Sequence, residues 1–177
     1  MATLILARHG ETDWNRDGIW QGHSDPPLND LGRRQAAELA ERLADVEIDA
    51  LYSSDLRRAY ETAEIVSRAK GLDITADPEL REMDVGSWSG LTSEEIATRF
   101  PEMAAHDGES RADFDARSVG VLRRIAEAHE GEHVLVVTHG GVVRAVERHL
   151  AGEPRDVLMN CELVEFRYEG GTFSRID

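Results

Sequence analysis

The chain has almost no sulfur to cross-link and almost no lysine. Cys161 is its single cysteine, which excludes an intramolecular disulfide and fits a reducing, cytoplasmic compartment. Lys70 is its single lysine, and a genomic preference for arginine codons accounts for that as well as any function would. Long apolar runs are missing too. The N-terminal apolar stretch is six residues long and runs straight into Arg8 and His9, too short for a signal peptide or a membrane span. Positive charge is scarce, with 20 basic residues against 35 acidic ones and a net charge of −15. Such a surface repels nucleic acid and anionic membranes, so neither is expected as a partner. There is no H-E-x-x-H and no C-x-x-C, and no G-x-G-x-x-G follows Gly140 and Gly141. A metal centre and a dinucleotide fold are therefore disfavoured.

What remains is a globular composition, 41% hydrophobic and 31% charged over 177 residues. That length suits a single domain spanning 1–177 that buries roughly 70% of its unfolded surface. Two apolar runs, residues 3–8 and 134–138, each end in a histidine followed by glycine: His9-Gly10 and His139-Gly140-Gly141. Short runs of this kind read as fully buried parallel strands. In open α/β sheets ligands sit beyond the carboxyl ends of such strands, where the strand order reverses. If the two strands are neighbours there, His9 and His139 share one cleft.

Beyond the first strand, residues 11–28 are polar and carry Gly18, Gly22, Pro26 and Pro27, too long for an ordinary connection and so read as a functional loop. Asn29 or Asp30 can cap a helix whose apolar positions Ala36, Leu39, Ala40 and Leu43 recur at helical spacing. Residues 48–53 read as a second strand, about 55–70 as a helix stopped by Gly71, and 72–75 as a third strand. Residues 78–90 look irregular. Helices are expected over about 93–100 and 112–129, joined by a segment at 101–108 of mobile composition. A small helical lid region is thus placed at about 92–117. The late strand leads into a helix to about residue 150. Residues 163–168 and 172–176, parted by Gly170 and Gly171, read as a hairpin. The fold class expected is α/β: a three-layer α/β/α sandwich with a mostly parallel mixed sheet and one antiparallel strand near the C-terminus.

Taken residue by residue, the strand ends suit a phosphate. A phosphate monoester is a dianion that needs fixed positive charge and N–H donors around its oxygens. Arg8 and Arg58 can supply bidentate forks that lysine cannot reproduce. His9 suits a nucleophile if neighbouring arginines depress its pKa and a backbone carbonyl fixes its tautomer. Alone, a histidine after a strand is more often structural; the pairing with His139 and the two arginines reverses those odds. The remaining histidines, at 23, 106, 129, 133 and 149, read as surface residues, with His23 or His106 near an entrance. Trp14 and Trp88 read as packing walls of the loops. Cys161 and Arg167 share the spacing of cysteine-based phosphatases, but the acidic, strand-like residues between them are hostile to an anion.

The segment Arg8-His9-Gly10-Glu11-Thr12-Asp13-Trp14-Asn15 resembles the opening motif of the histidine phosphatase superfamily, in its phosphoglycerate mutase-like branch. The resemblance recurs in order: Asp25 to Leu28 with Gly32; Ser54 to Ala63, whose spacing selects Arg58 over Arg57; Leu80 to Gly90, which bears Glu82; and Thr138 to Gly141 with Arg144. A weaker echo falls at Asn160. It implies a phosphomonoesterase acting on a small phosphorylated metabolite, with no metal or organic cofactor. His9 would be phosphorylated, with Arg8, Arg58 and His139 on the phosphoryl oxygens. Glu82 would be the proton donor, Asp84 the less favoured substitute, and Asn15 and the Gly22 N–H would complete the cradle. Val85 stands where an aromatic is common, and Ser89 where an acid is common. A cofactor-dependent phosphoglycerate mutase and a phosphoanion-binding protein without catalysis are the alternatives. Sugar phosphates, phosphoglycerates, a cobamide-precursor nucleoside phosphate and phosphohistidine proteins stay open as substrates, and a homodimer stays open as the assembly.

Overall fold

In the computed structural model, which describes residues 1–102, 106–151 and 158–176, strands and helices alternate. β1 (Ala2–Arg8) is followed by a short α1 (Asp13–Arg16) and by α2 (Asp30–Arg42). Next come β2 (Ala50–Ser53), α3 (Arg57–Lys70) and β3 (Ile74–Ala76). After two single turns of 3-10 helix, α4 (Ser93–Arg99) and α5 (Arg111–Ala128) lead to β4 (His133–Thr138) and α6 (Gly140–Ala151). β5 (Leu163–Glu169) and β6 (Thr172–Ile176) form the closing hairpin.

The strands form one sheet in the order β3-β2-β4-β1-β5-β6. β1 to β4 are parallel, and β5 alone runs against its neighbours β1 and β6. This is the mixed sheet expected, with one reversed strand near the C-terminus.

The centre of the sheet follows from the uninterrupted apolar character of β1 and β4, since only a strand covered on both faces can be apolar throughout. Successive side chains alternate between the faces. Leu4 and Leu6, with Val134 and Val136, join the core under α5 and α6. Ile5 and Ala7, with Leu135 and Val137, join the core under α2 and α3. Phe114 of α5 and Phe166 of β5 are fully buried. Each such ring contributes roughly 1.5–3 kcal/mol by leaving water.

Helix ends are set by specific groups. The Asn29 Oδ1 accepts the Gly32 N–H at 2.8 Å, so Asn29 rather than Asp30 caps α2. Asp25 crosses from the long loop to cap α3, its Oδ1 accepting the Arg57 N–H at 2.6 Å. Gly71 ends α3 in the left-handed region, with φ at 68°. The lone lysine has a structural part that composition did not reveal. The Lys70 ammonium donates to the carbonyls of Leu43, Ala44 and Val46 at 3.0, 3.1 and 2.7 Å, closing the C-terminal end of α2.

Several boundaries differ from those expected. β2 begins at Ala50, α3 at Arg57, and β3 covers Ile74–Ala76. α1 was not anticipated, because four residues are too few to show a hydrophobic period. It is fixed by a reciprocal cap between Thr12 and Asn15. In the 101–108 connection, part of the expected lid, residues 103–105 lie outside the described residues. Among the described residues no helix is long and apolar enough to cross a membrane.

Candidate active site

β1 and β4 end level, Arg8 paired with Thr138, so His9 and His139 leave the same edge of the sheet. Their ring centroids lie 5.2 Å apart, with the planes at 61°. His9 is buried. Its Nδ1 sits 2.7 Å from the Gly10 carbonyl oxygen, which can only accept, so the ring proton resides on Nδ1 and Nε2 keeps its lone pair. The His9 carbonyl accepts from Asn160 Nδ2 at 2.9 Å, and its N–H donates to the Thr138 carbonyl at 2.9 Å. Burial first, then the Arg58 and Arg8 guanidiniums, push its pKa well below the ordinary histidine value; the Gly10 bond opposes them. His9 is therefore neutral.

His139 is held from the other side. Its Nε2 lies 2.9 Å from the Ser54 Oγ. Ser54 is buried and its hydroxyl has no other acceptor among the described residues, so it donates to Nε2 and leaves the ring proton on Nδ1. That Nδ1 is itself buried without a partner among the described residues. Burial, Arg58, His9 and Arg8 together lower the His139 pKa well below its ordinary value.

Arg58, on the first turn of α3, is 1% exposed. Its guanidinium donates to the carbonyls of Ser24 at 2.8 Å and Gly22 at 2.9 Å, while its Nε has no partner among the described residues. Burial lowers its pKa to about 10, with Glu82 and Asp25 opposing, so it stays charged at neutral pH. Arg57 points outward and pairs with Glu61 at 2.7 Å. Thr62 ties the two halves together: its Oγ1 accepts the Gly10 N–H at 3.0 Å and donates to the Arg58 carbonyl at 2.8 Å. Arg8 donates to the Leu158 carbonyl at 2.5 Å. Burial lowers its pKa, and Glu82 opposes that shift.

The Glu82 carboxylate accepts the Met83 N–H at 2.9 Å and the Gly141 N–H at 3.1 Å, the latter at the start of α6. Asp84 folds back on the Gly86 N–H at 2.9 Å and lies outside the cleft lining. Arg8, His9, Arg58 and Glu82 line a cleft of about 320 Å³. Asn15 and Gly22 line it as well. The Asn15 Oδ1 accepts the Thr12 N–H at 3.1 Å, which leaves its NH₂ for a ligand. His139, fully buried, packs edge-on against His9, and its unpartnered Nδ1 is the ring nitrogen left for a ligand.

Sequence reasoning missed four of the lining residues. Gln21, Trp20 and Arg148 carried no motif, and Arg111 was hidden in a segment that looked acidic. Ser54 was quoted only as the start of a motif, although serine directly after a strand and opposite a histidine was a usable signal. The histidines outside the site are more buried than expected: only His149 is exposed. His23 Nε2 meets the Glu82 carbonyl at 2.9 Å, behind the acid, and His129 lies between Tyr52 and Glu132. His106 stacks edge-on against Trp88, which also meets Trp20. Loop and helix ends close over these rings, which a linear reading cannot see. Cys161 is buried, and burial pushes its thiol pKa up to about 12, inert as a nucleophile. Among the described residues, no group of three His, Cys, Asp or Glu side chains could hold a metal ion.

Comparison with known proteins agrees with this geometry. The family profile described as "Histidine phosphatase superfamily (branch 1)" matches residues 4–175. Phosphoglycerate mutase-like protein 4 of Arabidopsis thaliana is 38% identical, over 96% of this chain and 81% of its own length. Phosphoserine phosphatase 1 of Hydrogenobacter thermophilus is 36% identical, over 86% of this chain and 77% of its own. The solved structure of Bacillus stearothermophilus YhfR superposes with a TM-score of 0.92 at 35% identity, covering 99% of this chain and 95% of that one. Similarity running nearly end to end, over a pair of imidazoles framed by two arginines and a carboxylate, places the chain in the histidine phosphatase superfamily, branch 1.

Proposed function

We propose that this phosphatase hydrolyses small phosphomonoesters through a phosphohistidine on His9. The observation that carries the reading is the neutral His9 ring, its proton fixed on Nδ1 and its Nε2 lone pair free beside the buried Arg58 and half-buried Arg8 guanidiniums. His9 Nε2 attacks phosphorus in line and the ester P–O bond breaks. Arg8, Arg58 and the Nδ1–H of His139 neutralise the equatorial oxygens, and the NH₂ of Asn15 and the N–H of Gly22 supply further donors. Glu82 gives its proton to the departing alkoxide. In the second half-reaction it takes a proton from water, whose oxygen attacks phosphorus, and the P–N bond to His9 breaks. The cycle returns His9 neutral and Glu82 protonated, with phosphate released.

Water as the final acceptor separates this from a mutase, which passes the phosphoryl group to a second hydroxyl. The segment from Glu82 to His139 carries Glu102, Asp107 and Glu109, a poor lid for retaining a bisphosphate, although Arg111 from the same segment lines the cleft. A binding protein without catalysis would need neither the His9 lone pair nor Glu82. The single, inert cysteine supports a cytoplasmic setting.

Steady-state turnover of an aryl phosphate tests the reading. His9→Ala abolishes it, and Glu82→Gln lowers it by about 10²–10⁴ for natural alcohols. Full turnover by the His9 variant, or phosphoglycerate interconversion outrunning hydrolysis when a bisphosphate primer is added, overturns it.

A further inference from the structure

On its β5 side, β1 loses its ladder just before the chemistry begins. The antiparallel pairing ends at Ala7 opposite Leu163, while Arg8 and His9 run on past it. A turn at Asn160 and Cys161 takes over the ladder's task. The Arg8 N–H donates to the Glu162 carbonyl at 3.2 Å, and the Cys161 N–H returns to the Arg8 carbonyl at 3.0 Å. To bend this tightly Cys161 takes a φ of 57°, the only non-glycine with positive φ among the described residues. Such a conformation persists only where its surroundings fix it, and Arg42 helps by donating to the Cys161 carbonyl.

The turn places the Asn160 side chain where a further backbone donor would otherwise stand. Its Nδ2 donates to the His9 carbonyl at 2.9 Å. That carbonyl and the Gly10 N–H belong to one planar peptide unit. The other end of the plane is held from α3, where the Thr62 Oγ1 accepts the Gly10 N–H at 3.0 Å. The Thr62 hydroxyl proton is committed to the Arg58 carbonyl at 2.8 Å, so toward Gly10 the oxygen can only accept. The next carbonyl along, that of Gly10, is the acceptor that keeps the His9 proton on Nδ1. Glycine imposes little direction of its own on its backbone, so that carbonyl has to be aimed from outside. Neither Asn160 nor Thr62 lines the cleft.

We propose that Asn160 and Thr62 are positioning residues for the nucleophile. By gripping the His9–Gly10 peptide plane at both ends, they aim the Gly10 carbonyl at Nδ1 and keep the Nε2 lone pair turned toward phosphorus. The effect on rate rests on the phosphohistidine reading; the effect on the His9 ring does not.

The test pairs nitrogen NMR of histidine-labelled protein with quenched-flow measurement of phosphoenzyme formation from an aryl phosphate. In the parent, His9 shows a protonated Nδ1 and a bare Nε2. Asn160→Ala removes the donor, and Thr62→Val removes the acceptor while keeping the side-chain shape. Each is expected to give His9 a mixture of neutral tautomers and to slow phosphorylation by about tenfold or more, as misaligned reactants do. Thr62→Ser, which keeps a hydroxyl, restores the single tautomer and most of the rate. Inorganic phosphate should bind the Asn160 variant within about threefold of the parent, since Asn160 is outside the cleft lining. Asn160 sits half-buried on a turn, so its variant carries the test alone if Thr62→Val does not fold. An Asn160 variant with unchanged His9 shifts, slowing without a change of tautomer, or phosphate affinity that falls in step with the rate overturns the proposal. Failure of the phosphohistidine reading would appear separately, as parent enzyme with the fixed tautomer that forms no phosphoenzyme.

Discussion

Gly141 and Glu82 approach so closely that no side chain fits between them. A Cβ at position 141 would lie 1.9 Å from the Glu82 Oε1, while the Gly141 N–H holds Oε2 at 3.1 Å. The second glycine after His139 is thus a steric requirement of the carboxylate proposed to protonate the leaving group.

Gly141→Ala is therefore expected to push the end of the Glu82 side chain aside while leaving α6 intact. Alanine is the better helix former by up to about 1 kcal/mol, so thermal stability should equal or exceed that of the parent. kcat should fall by about 10²–10⁴, the usual worth of a positioned proton donor. Paired calorimetry and kinetics check this; a variant that keeps its activity would show that Glu82 does not need its present position.

Ser54 carries no chemistry itself but fixes the proton of His139. Ser54→Ala removes the donor to Nε2 and leaves a buried acceptor unpaired, at a cost of about 1–3 kcal/mol in stability. The ring should then populate both neutral tautomers, visible in the nitrogen chemical shifts of labelled histidine, with a fall in kcat of about tenfold or more. Ser54→Thr, which keeps a hydroxyl, should recover the single tautomer and most of the rate.

Arg117 of α5 holds the acid loop from outside the cleft. It donates to the carbonyls of Glu79 at 2.6 Å and Arg81 at 3.1 Å, and is itself gripped by Glu109 at 2.8 Å. Arg117→Met should loosen residues 79–84, raise their amide exchange and lower kcat. The affinity for inorganic phosphate should stay within about twofold, because Arg117 does not line the cleft proposed to hold it. Equal loss of both would place it in binding instead.

The paired imidazoles also set an acid limit on stability. Both remain neutral when folded, whereas in the unfolded chain each takes a proton near the ordinary pKa of 6.5. Below that pH the unfolded state binds more protons, so unfolding free energy drops with acid; above it the two rings contribute no slope. The expected slope below pH 6.5 is about 1.4 kcal/mol per pH unit for each ring, until the folded values are reached. Urea titrations between pH 7.5 and 5.5 measure it, and His9→Gln should remove about half.

What could be read from the chain alone follows from contiguity. β1 and β4 were visible because both are apolar without interruption, α2 because its apolar positions repeat behind a cap at Asn29 or Asp30, and α3 because Gly71 marks its end. The juxtaposition of His9 and His139 was inferable from two like strand ends. Groups whose meaning lies in a partner far along the chain were not legible: Ser54 under His139, Gly141 against Glu82, and Asp25 on the first N–H of α3. Arg111 was concealed by acidic neighbours that the fold turns elsewhere, Glu109 toward Arg117 and Asp113 toward Ser110.

Every step of the proposed cycle passes through a bond between phosphorus and the His9 Nε2. Mixing the enzyme with a fast-leaving aryl phosphate, quenching in alkali within milliseconds and mapping the modified peptide by mass spectrometry reads that bond directly. The account predicts one phosphoryl group on the peptide containing His9, absent from His9→Ala and lost on standing as phosphate appears. Turnover with no phosphopeptide, or the group on any other side chain, would contradict it.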